Sequence, residues 1–219
     1  HPSMAGALAL ALACLVAGSA PPPASAQCSY TALQDQDLVA VGSSPAFYTV
    51  DQLSSYWMAV AIKPPSTADW DLSIWSGTDI YPTCVSGQLA GSALGYGVDF
   101  VVGDFNHNAA GVRYVEVNRY SGTGDGTLEW NATDGMLPVN GPLVTAPFGE
   151  PVHVYDVYLE AGRTYGFTLQ RTAPADIHML LFRNATGGTC WKRRVDAEWD
   201  VTASTTYTAP GTGFYGLVV

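Results

Sequence analysis

Short runs of alternating apolar and polar residues recur along the chain and are separated by turn-forming residues. Runs rich in Val, Tyr, Trp, Phe and Thr end at Gly, Pro, Asn or Asp roughly every 8 to 12 residues, which is the spacing of strands in antiparallel β-proteins. No longer window has apolar side chains at the spacings of three and four that mark an amphipathic helix. The pattern therefore predicts an all-β protein, built as a sandwich or a barrel.

The same pattern places strands in both halves of the chain. In the first half they are predicted near residues 46–50, 56–62, 70–75, 97–101, 111–120 and 126–130. In the second half they are predicted near residues 152–159, 163–171, 177–183, 190–194, 204–209 and 213–219. Each half therefore contains enough strands for its own pair of sheets.

One phrase is written twice in the sequence. Two segments share it: residues 68–85, ADWDLSIWSGTDIYPTCV, and residues 175–191, ADIHMLLFRNATGGTCW. Each begins with Ala-Asp and continues with alternating apolar and polar residues up to an aromatic residue. A polar turn and a cysteine follow in both. Upstream of them, Tyr48 and Tyr155 lie 107 residues apart in similar surroundings. Solenoid repeats are shorter, at roughly 20 to 50 residues. The spacing predicts two tandem antiparallel β-sandwich modules of jelly-roll-like form.

The N-terminal residues have the features of a secretory signal peptide. An apolar run over residues 5–18 is followed by a Pro-rich stretch and by the small residues Ala24-Ser25-Ala26. We expect cleavage before Gln27, with no membrane insertion afterwards, because the apolar run is too short to span a bilayer. We therefore predict a signal peptide over residues 1–26, in which the residues ahead of Met4 are an upstream cloning scar. The first module spans residues 27–132, a Pro/Gly linker follows over residues 133–147, and a second, C-terminally incomplete module spans residues 148–219.

The charge of the chain excludes one class of partner. Nine Lys and Arg residues stand against nineteen Asp and Glu, for a net charge of −10. Nucleic acid is not expected as a partner, since its phosphates are bound by basic surfaces. The one basic cluster, residues 192–194, is interpreted as a solvated strand edge that discourages pairing with other chains.

Three cysteines remain after signal cleavage, which leaves one without an intramolecular partner. Cys28 with Cys84 is the most economical disulfide, because it ties the start of the first module to a turn in its sheet. Cys190 occupies the place in the second module that Cys84 has in the first. A Cys84–Cys190 bridge is the alternative, and the sequence leaves the connectivity open.

The second half resembles the bacterial pre-peptidase C-terminal domain. The resemblance rests on VYDVYLEAGRTYGFTLQRTAPADIHMLLF, followed by TYTAPGTGFYGLVV, and it covers most of residues 152–219. A weaker match in the first half includes YVEVNRYSGTGDGTLEWN, which is similar to the last two strands of the family. The resemblance implies a non-catalytic β-sandwich that accompanies secreted hydrolases. It also implies that the second module lacks its last strand and that the chain is a fragment.

Motifs for catalysis do not stand out in the sequence. There is no Gly-x-Ser-x-Gly elbow, HExxH or Cys-x-x-Cys, and His107, His153 and His178 are isolated along the chain. We therefore expect no enzymatic activity and no required cofactor.

One loop has the first half of a calcium-binding pattern. Asp104, Asn106 and Asn108 alternate as oxygen ligands do in calcium loops, but Ala109 and Ala110 follow where glycine or another ligand is expected. At most, the pattern predicts weak calcium binding. An Asx-rich turn without metal is the alternative.

The functional expectation is an accessory or interaction module of a larger secreted or cell-surface bacterial protein. Its partners would be the rest of its own polypeptide and an extracellular polysaccharide or protein. The alternatives are the N-terminal accessory region of a secreted peptidase or glycosidase, and a carbohydrate-binding module that stacks sugars on exposed aromatics. Trp57, Trp70 and Trp191 are the tryptophans that core packing explains least well in the sequence.

Overall fold

The structure, a computed structural model, describes residues 27–52, 56–95, 97–104, 110–147, 149–170, 177–184 and 191–219. The strands of the first half are β1 (Thr31–Ala32), β2 (Leu38–Val41), β3 (Ala46–Gln52), β4 (Met58–Lys63), β5 (Ala68–Thr78), β6 (Val85–Ser92), β7 (Asp99–Gly103), β8 (Gly111–Gly122) and β9 (Gly126–Asn131). Those of the second half are β10 (Val154–Leu159), β11 (Thr164–Phe167), β12 (Met179–Arg183), β13 (Trp191–Arg193), β14 (Trp199–Val201), β15 (Thr205–Thr208) and β16 (Gly213–Val218). The helical structure of the described residues is a single 3₁₀ turn at Arg194–Asp196. The protein is therefore all-β, as the sequence predicts.

The strands form four sheets, numbered here in the order in which they stack. Sheet I has the order β1-β3-β8-β5-β6, and sheet II has the order β13-β7-β4-β9-β2. Sheet III has the order β10-β16-β12-β14, and sheet IV pairs β11 with β15. Apart from the parallel pair β1–β3, the strand pairs within these sheets are antiparallel.

Three apolar cores lie between these sheets. The first core packs sheet I on sheet II and contains Trp70, Leu72 and Val115. The third core lies between sheets III and IV and contains Leu181 and Tyr215. Each half of the chain therefore has a sandwich-type core of its own.

A second core joins the two halves. Trp57, Ala59 and Phe100, on the outward face of sheet II, pack against Val154 and Phe182 of sheet III. Sheet II is thus apolar on both faces. This explains why β4 reads as the continuous apolar run Met58–Ile62, with all five residues buried, instead of an alternating pattern.

The chain also crosses between the halves by strand pairing. β13 comes from the second half but pairs with β7 at the edge of sheet II, with Trp191 opposite Gly103. The basic residues 192–194 therefore begin on an edge strand, as expected. That edge, however, belongs to the sandwich of the first half.

The order of strands is similar in the two halves. In sheet I the run β3-β8-β5-β6 occurs, and in sheet III the run β10-β16-β12-β14. The pair β4–β7 likewise has the same place in the chain as the pair β11–β15. In the described part of residues 148–219, no strand takes the place that β9 has beside β4.

The residues predicted as a linker begin with contacts to the second half. The Asp134 amide donates to the Val154 carbonyl at 2.6 Å, and the Leu137 amide donates to the Asp156 carbonyl at 2.9 Å. The Asp156 amide in turn donates to the Gly135 carbonyl at 3.0 Å. Residues 134–137 are therefore fixed along β10.

In the described part of the chain, no helix is long and apolar enough to cross a membrane.

Candidate functional site

Sheet I differs from sheet II in having one face that no other sheet of the described residues covers. Along β5 the residues Trp70, Leu72 and Ile74 are fully buried, whereas the alternate residues Ser73 and Trp75 are only partly buried. The same alternation occurs along β3. It is the pattern of a sheet with one face on a core and one face toward solvent. The outward face of sheet I is therefore the surface on which a ligand could be held.

Aromatic side chains line this face. Trp75 on β5 stands directly opposite Tyr114 on β8. Tyr30, from the N-terminal segment, packs edge-on against Tyr114 with ring centroids 5.3 Å apart, and against Phe47 at 6.2 Å. The three residues Trp75, Tyr114 and Tyr30 are called the aromatic platform below.

A carboxylate lies within the aromatic face. Glu116 on β8 is opposite both Phe47 on β3 and Ser73 on β5. Burial raises the pKa of Glu116, and the indole N–H of Trp75 partly offsets this rise. The carboxyl group therefore lies close to the indole of Trp75 on the same face of sheet I.

A cleft adjoins the platform at the open side of the first sandwich. It has a volume of about 630 Å³ and runs between β6 of sheet I and the segment of β13 and the 3₁₀ turn. Its lining is mostly polar and includes Ser73, Gln88, Lys192, Arg193 and Asp196. Since Gln88 is the cross-strand neighbour of Trp75, the cleft and the platform form one surface.

The basic groups of the cleft are matched by nearby carboxylates. Lys192 Nζ lies 3.8 Å from Asp104 Oδ2, and Arg193 Nε lies 3.6 Å from Asp196 Oδ2. Gln88 Nε2 donates a hydrogen bond to Ser73 Oγ at 3.1 Å. The cleft thus combines donors and acceptors without a strong excess of either charge.

The residues predicted to bind calcium are described only in part. Asp104 is fully buried beside Lys192, and Asn106 and Asn108 lie outside the described residues. A buried ammonium group next to a carboxylate competes with a metal cation for it. Among the described residues, no group of three His, Cys, Asp or Glu side chains is arranged to hold a metal ion.

The predicted disulfide is present. Cys28 and Cys84 are joined, with Cα atoms 5.6 Å apart. The hydroxyl of Tyr30 donates to the Cys84 carbonyl, so a residue of the bridge also holds Tyr30 in its place beside Tyr114. Disulfides of this kind are typical of an oxidising, extracellular setting. Cys190 lies outside the described residues.

The three tryptophans singled out in the sequence are core residues. Trp57 and Trp70 are fully buried, and Trp191 is 2% exposed. Trp191 comes from the second half of the chain but packs in the first core. No sequence pattern indicates this position. Core packing therefore explains these three residues, contrary to the interpretation of the sequence, and the partly exposed Trp75 is the tryptophan on the open face of sheet I.

Two histidines have partners that their sequence positions do not reveal. His178 Nδ1 lies 2.7 Å from Asp200 Oδ1, and Arg194 donates from Nε to Asp200 Oδ2 at 2.9 Å. His153 Nδ1 lies 3.4 Å from Asp134 Oδ2, near the junction of the two halves. Both histidines sit on the second half, apart from the aromatic platform on sheet I.

The junction also contains a buried carboxyl group. Glu129, fully buried on the outward face of sheet II, accepts the Val152 amide at 3.3 Å. Beside it, Asn131 donates to Asp134 Oδ2 at 3.1 Å. Burial raises the pKa of Glu129 to about 7. These polar contacts form part of the interface between the halves.

The open face of sheet I and its cleft are the arrangement best suited to hold a ligand, because they join an aromatic surface to a row of hydrogen-bonding groups. No protein-family model matches the chain, and no curated protein resembles it in sequence.

Proposed function

We propose that the chain is a non-catalytic binding and accessory unit of a larger secreted or cell-surface bacterial protein. The observation that carries this proposal is the contrast between sheets I and II. Sheet II is covered on both faces, while sheet I leaves an aromatic, hydrogen-bonding face open. A rigid scaffold with one such face is suited to holding an extracellular polymer without changing it.

Three further observations support export and an accessory role. The disulfide is typical of an oxidising compartment, and residues 1–26 have the composition of a signal peptide. The resemblance of residues 152–219 to the pre-peptidase C-terminal domain agrees with a role beside a secreted enzyme. We further propose that the two halves are tandem copies of one module, since sheets I and III share a strand order.

An accessory region of a secreted peptidase or glycosidase is a special case of the same proposal. The buried junction between the halves favours it, because a stiff pair of sandwiches would hold a neighbouring enzyme domain at a fixed position. The full-length gene distinguishes the two cases. A hydrolase domain in it would support the accessory role, and further sandwich modules would support an adhesive role.

The proposal is tested by sedimenting the purified chain with insoluble cellulose, chitin, peptidoglycan and fibrillar collagen. We expect retention on at least one polymer, reduced in Trp75→Ala and unchanged in Tyr120→Ala. Tyr120 is 74% exposed on the same strand as Tyr114 and is a matched control. Release of soluble products from any polymer, or retention on none, would contradict the proposal.

A further inference from the structure

We propose that the aromatic platform and the adjoining cleft bind an uncharged oligosaccharide chain that runs across β6. This inference rests on the proposed binding function and names the ligand class and the residues. The surface extends from Tyr114 on β8, over Trp75 on β5 and Gln88 on β6, into the cleft formed with β13.

The platform supplies the apolar part of the site. Trp75 and Tyr114 are cross-strand neighbours, so their Cβ atoms lie about 5 Å apart and their rings form one patch. The C–H face of a pyranose ring is flat and apolar and packs on such rings, whose faces carry partial negative charge. Glu116 beside the patch adds a hydrogen-bond acceptor at its edge.

The cleft supplies the polar part of the site. Ser73, Gln88 and Asp196 offer hydroxyl, amide and carboxylate groups along its length, so donors and acceptors alternate over a short distance. Sugar hydroxyl groups both donate and accept, and they fit a surface of this mixed kind. Gly91, which follows on β6 opposite Ser73, lets the side chains of Ser73 and Gln88 lie close over the backbone of β6, because a Cβ atom there would stand 3.0 Å from Ser73 Oγ and 2.9 Å from Gln88 Nε2.

The charges argue for an uncharged ligand. The two cations of the cleft, Lys192 and Arg193, lie beside the carboxylates of Asp104 and Asp196. The acidic side chains that line the cleft are Asp71 and Asp196. A polyanion would meet these two carboxylates, and a polycation would meet the two basic side chains. The matched charges therefore favour a neutral polyhydroxylated chain over nucleic acid, acidic glycans or basic peptides.

The dimensions favour a chain over a single sugar. Neighbouring strands in a sheet lie about 4.8 Å apart, so the path from β8 across β5 to β6 is about 10 Å before the cleft begins. The cleft then adds a volume of about 630 Å³. A monosaccharide can occupy the platform or the cleft, but not both, and we expect affinity to increase with chain length.

The test is calorimetric titration of the protein with cellohexaose, chitohexaose, xylohexaose and the corresponding monosaccharides. We expect at least one hexasaccharide to bind, its monosaccharide to bind more weakly, and Trp75→Ala to lower the affinity about tenfold or more. Gln88→Ala removes an exposed side chain of the cleft without disturbing a core, and we expect a loss of about threefold or more. Tyr120→Ala should stay within about twofold of the unchanged protein.

Other results would overturn the inference in recognisable ways. Binding of an oligosaccharide that neither Trp75→Ala nor Gln88→Ala weakens would place the site elsewhere. Retention on collagen in the sedimentation assay, together with no heat from any saccharide, would show a peptide-binding face and leave the proposed binding function intact. Retention on no polymer at all would instead remove the proposed function itself.

Discussion

The indole ring of Trp57, in the first half of the chain, lies directly on Gly216, in the second. A Cβ atom built at Gly216 would stand 2.5 Å from Trp57 Cδ2, a distance that packed atoms do not tolerate. The Trp57 amide also donates to Asp156 Oδ1 at 3.1 Å. The two sandwiches are therefore held together by close packing of Trp57 on Gly216 and by a hydrogen bond, in addition to the burial of apolar surface.

This contact predicts that Gly216→Ala destabilises the protein. The added methyl group has to displace a fully buried ring, and overpacking of this kind costs about 1 to 3 kcal/mol. Urea unfolding followed by tryptophan fluorescence measures the loss. Gly211→Ala is the matched control, because a Cβ atom there meets its nearest neighbour at 3.5 Å. Equal free energies of unfolding for the two variants would contradict close packing of Trp57 on Gly216.

The buried Glu129 predicts that stability depends on pH. Its carboxyl ionises near pH 4.5 in the unfolded chain and near pH 7 in the folded protein. Between these values the folded state retains a proton that the unfolded state has released, so the free energy of unfolding falls as pH rises. Asp99, whose pKa burial raises to about 6, acts in the same direction.

Glu129→Gln should therefore flatten the pH dependence and raise the free energy of unfolding at pH 8, by an amount on the order of 2 kcal/mol. The side chain of Gln keeps an oxygen that can accept the Val152 amide. Glu160→Gln, at a partly exposed position paired with Arg163, should keep the slope of the unchanged protein. A variant at Glu129 with the full original slope would show that this carboxyl does not titrate as inferred.

The disulfide predicts a specific loss of stability on reduction. Cys28 and Cys84 are 56 residues apart, and removal of a bridge that closes a loop of this size costs about 2 to 4 kcal/mol. We expect the midpoint of urea unfolding to fall in reductant, and Cys28→Ser to show no further response to it. Non-reducing peptide mapping checks the pairing, and a Cys84–Cys190 peptide would contradict it.

The buried pair of Asp104 and Lys192 predicts coupling between the halves. Asp104→Asn leaves the Lys192 ammonium, whose side chain is 12% exposed, without that carboxylate, and losses of about 3 kcal/mol are typical. The double variant Asp104→Asn/Lys192→Met should lose less than the sum of the single variants. Additive losses would show that the two side chains act independently.

The same pair predicts the response to calcium. Because Lys192 already lies beside the Asp104 carboxylate, calorimetric titration should show no calcium heat below about 1 mM, the weak end of extracellular calcium sites. Binding in the micromolar range that Asp104→Ala abolishes would contradict this interpretation. Chelator treatment should accordingly leave the unfolding midpoint unchanged.

Much of the fold could be predicted from local patterns. Alternation in AFYTVDQ and DLSIWS identifies β3 and β5, and the economical cysteine pairing is the one observed. β1, β2, β6 and β14 were missed. β6, VSGQLAGS, has two glycines and few apolar residues, and β14 is three residues long, so neither produces a periodic signal.

The sequence indicates the type of candidate site but not the residues that form it. The sequence allows carbohydrate binding on exposed aromatics as an alternative, but the tryptophans that it singles out as poorly explained by packing, Trp57, Trp70 and Trp191, are buried. Trp75 lies in an alternating strand and so resembles a core residue in sequence. Only the position of the second half shows which faces are covered.

The sequence by itself determined the all-β class, most of the strands and the apolar face of those strands that alternate, because side chains alternate with a period of two along a strand. The run MAVAI does not alternate, and only the structure shows that both faces of β4 are covered. The tertiary structure alone decided that sheet III lies on sheet II, that β13 crosses to the edge of the first sandwich, and that sheet I is the open face. These features depend on contacts between residues about 100 positions apart, such as Trp57 with Asp156, and the alternation within a strand carries no information about such partners.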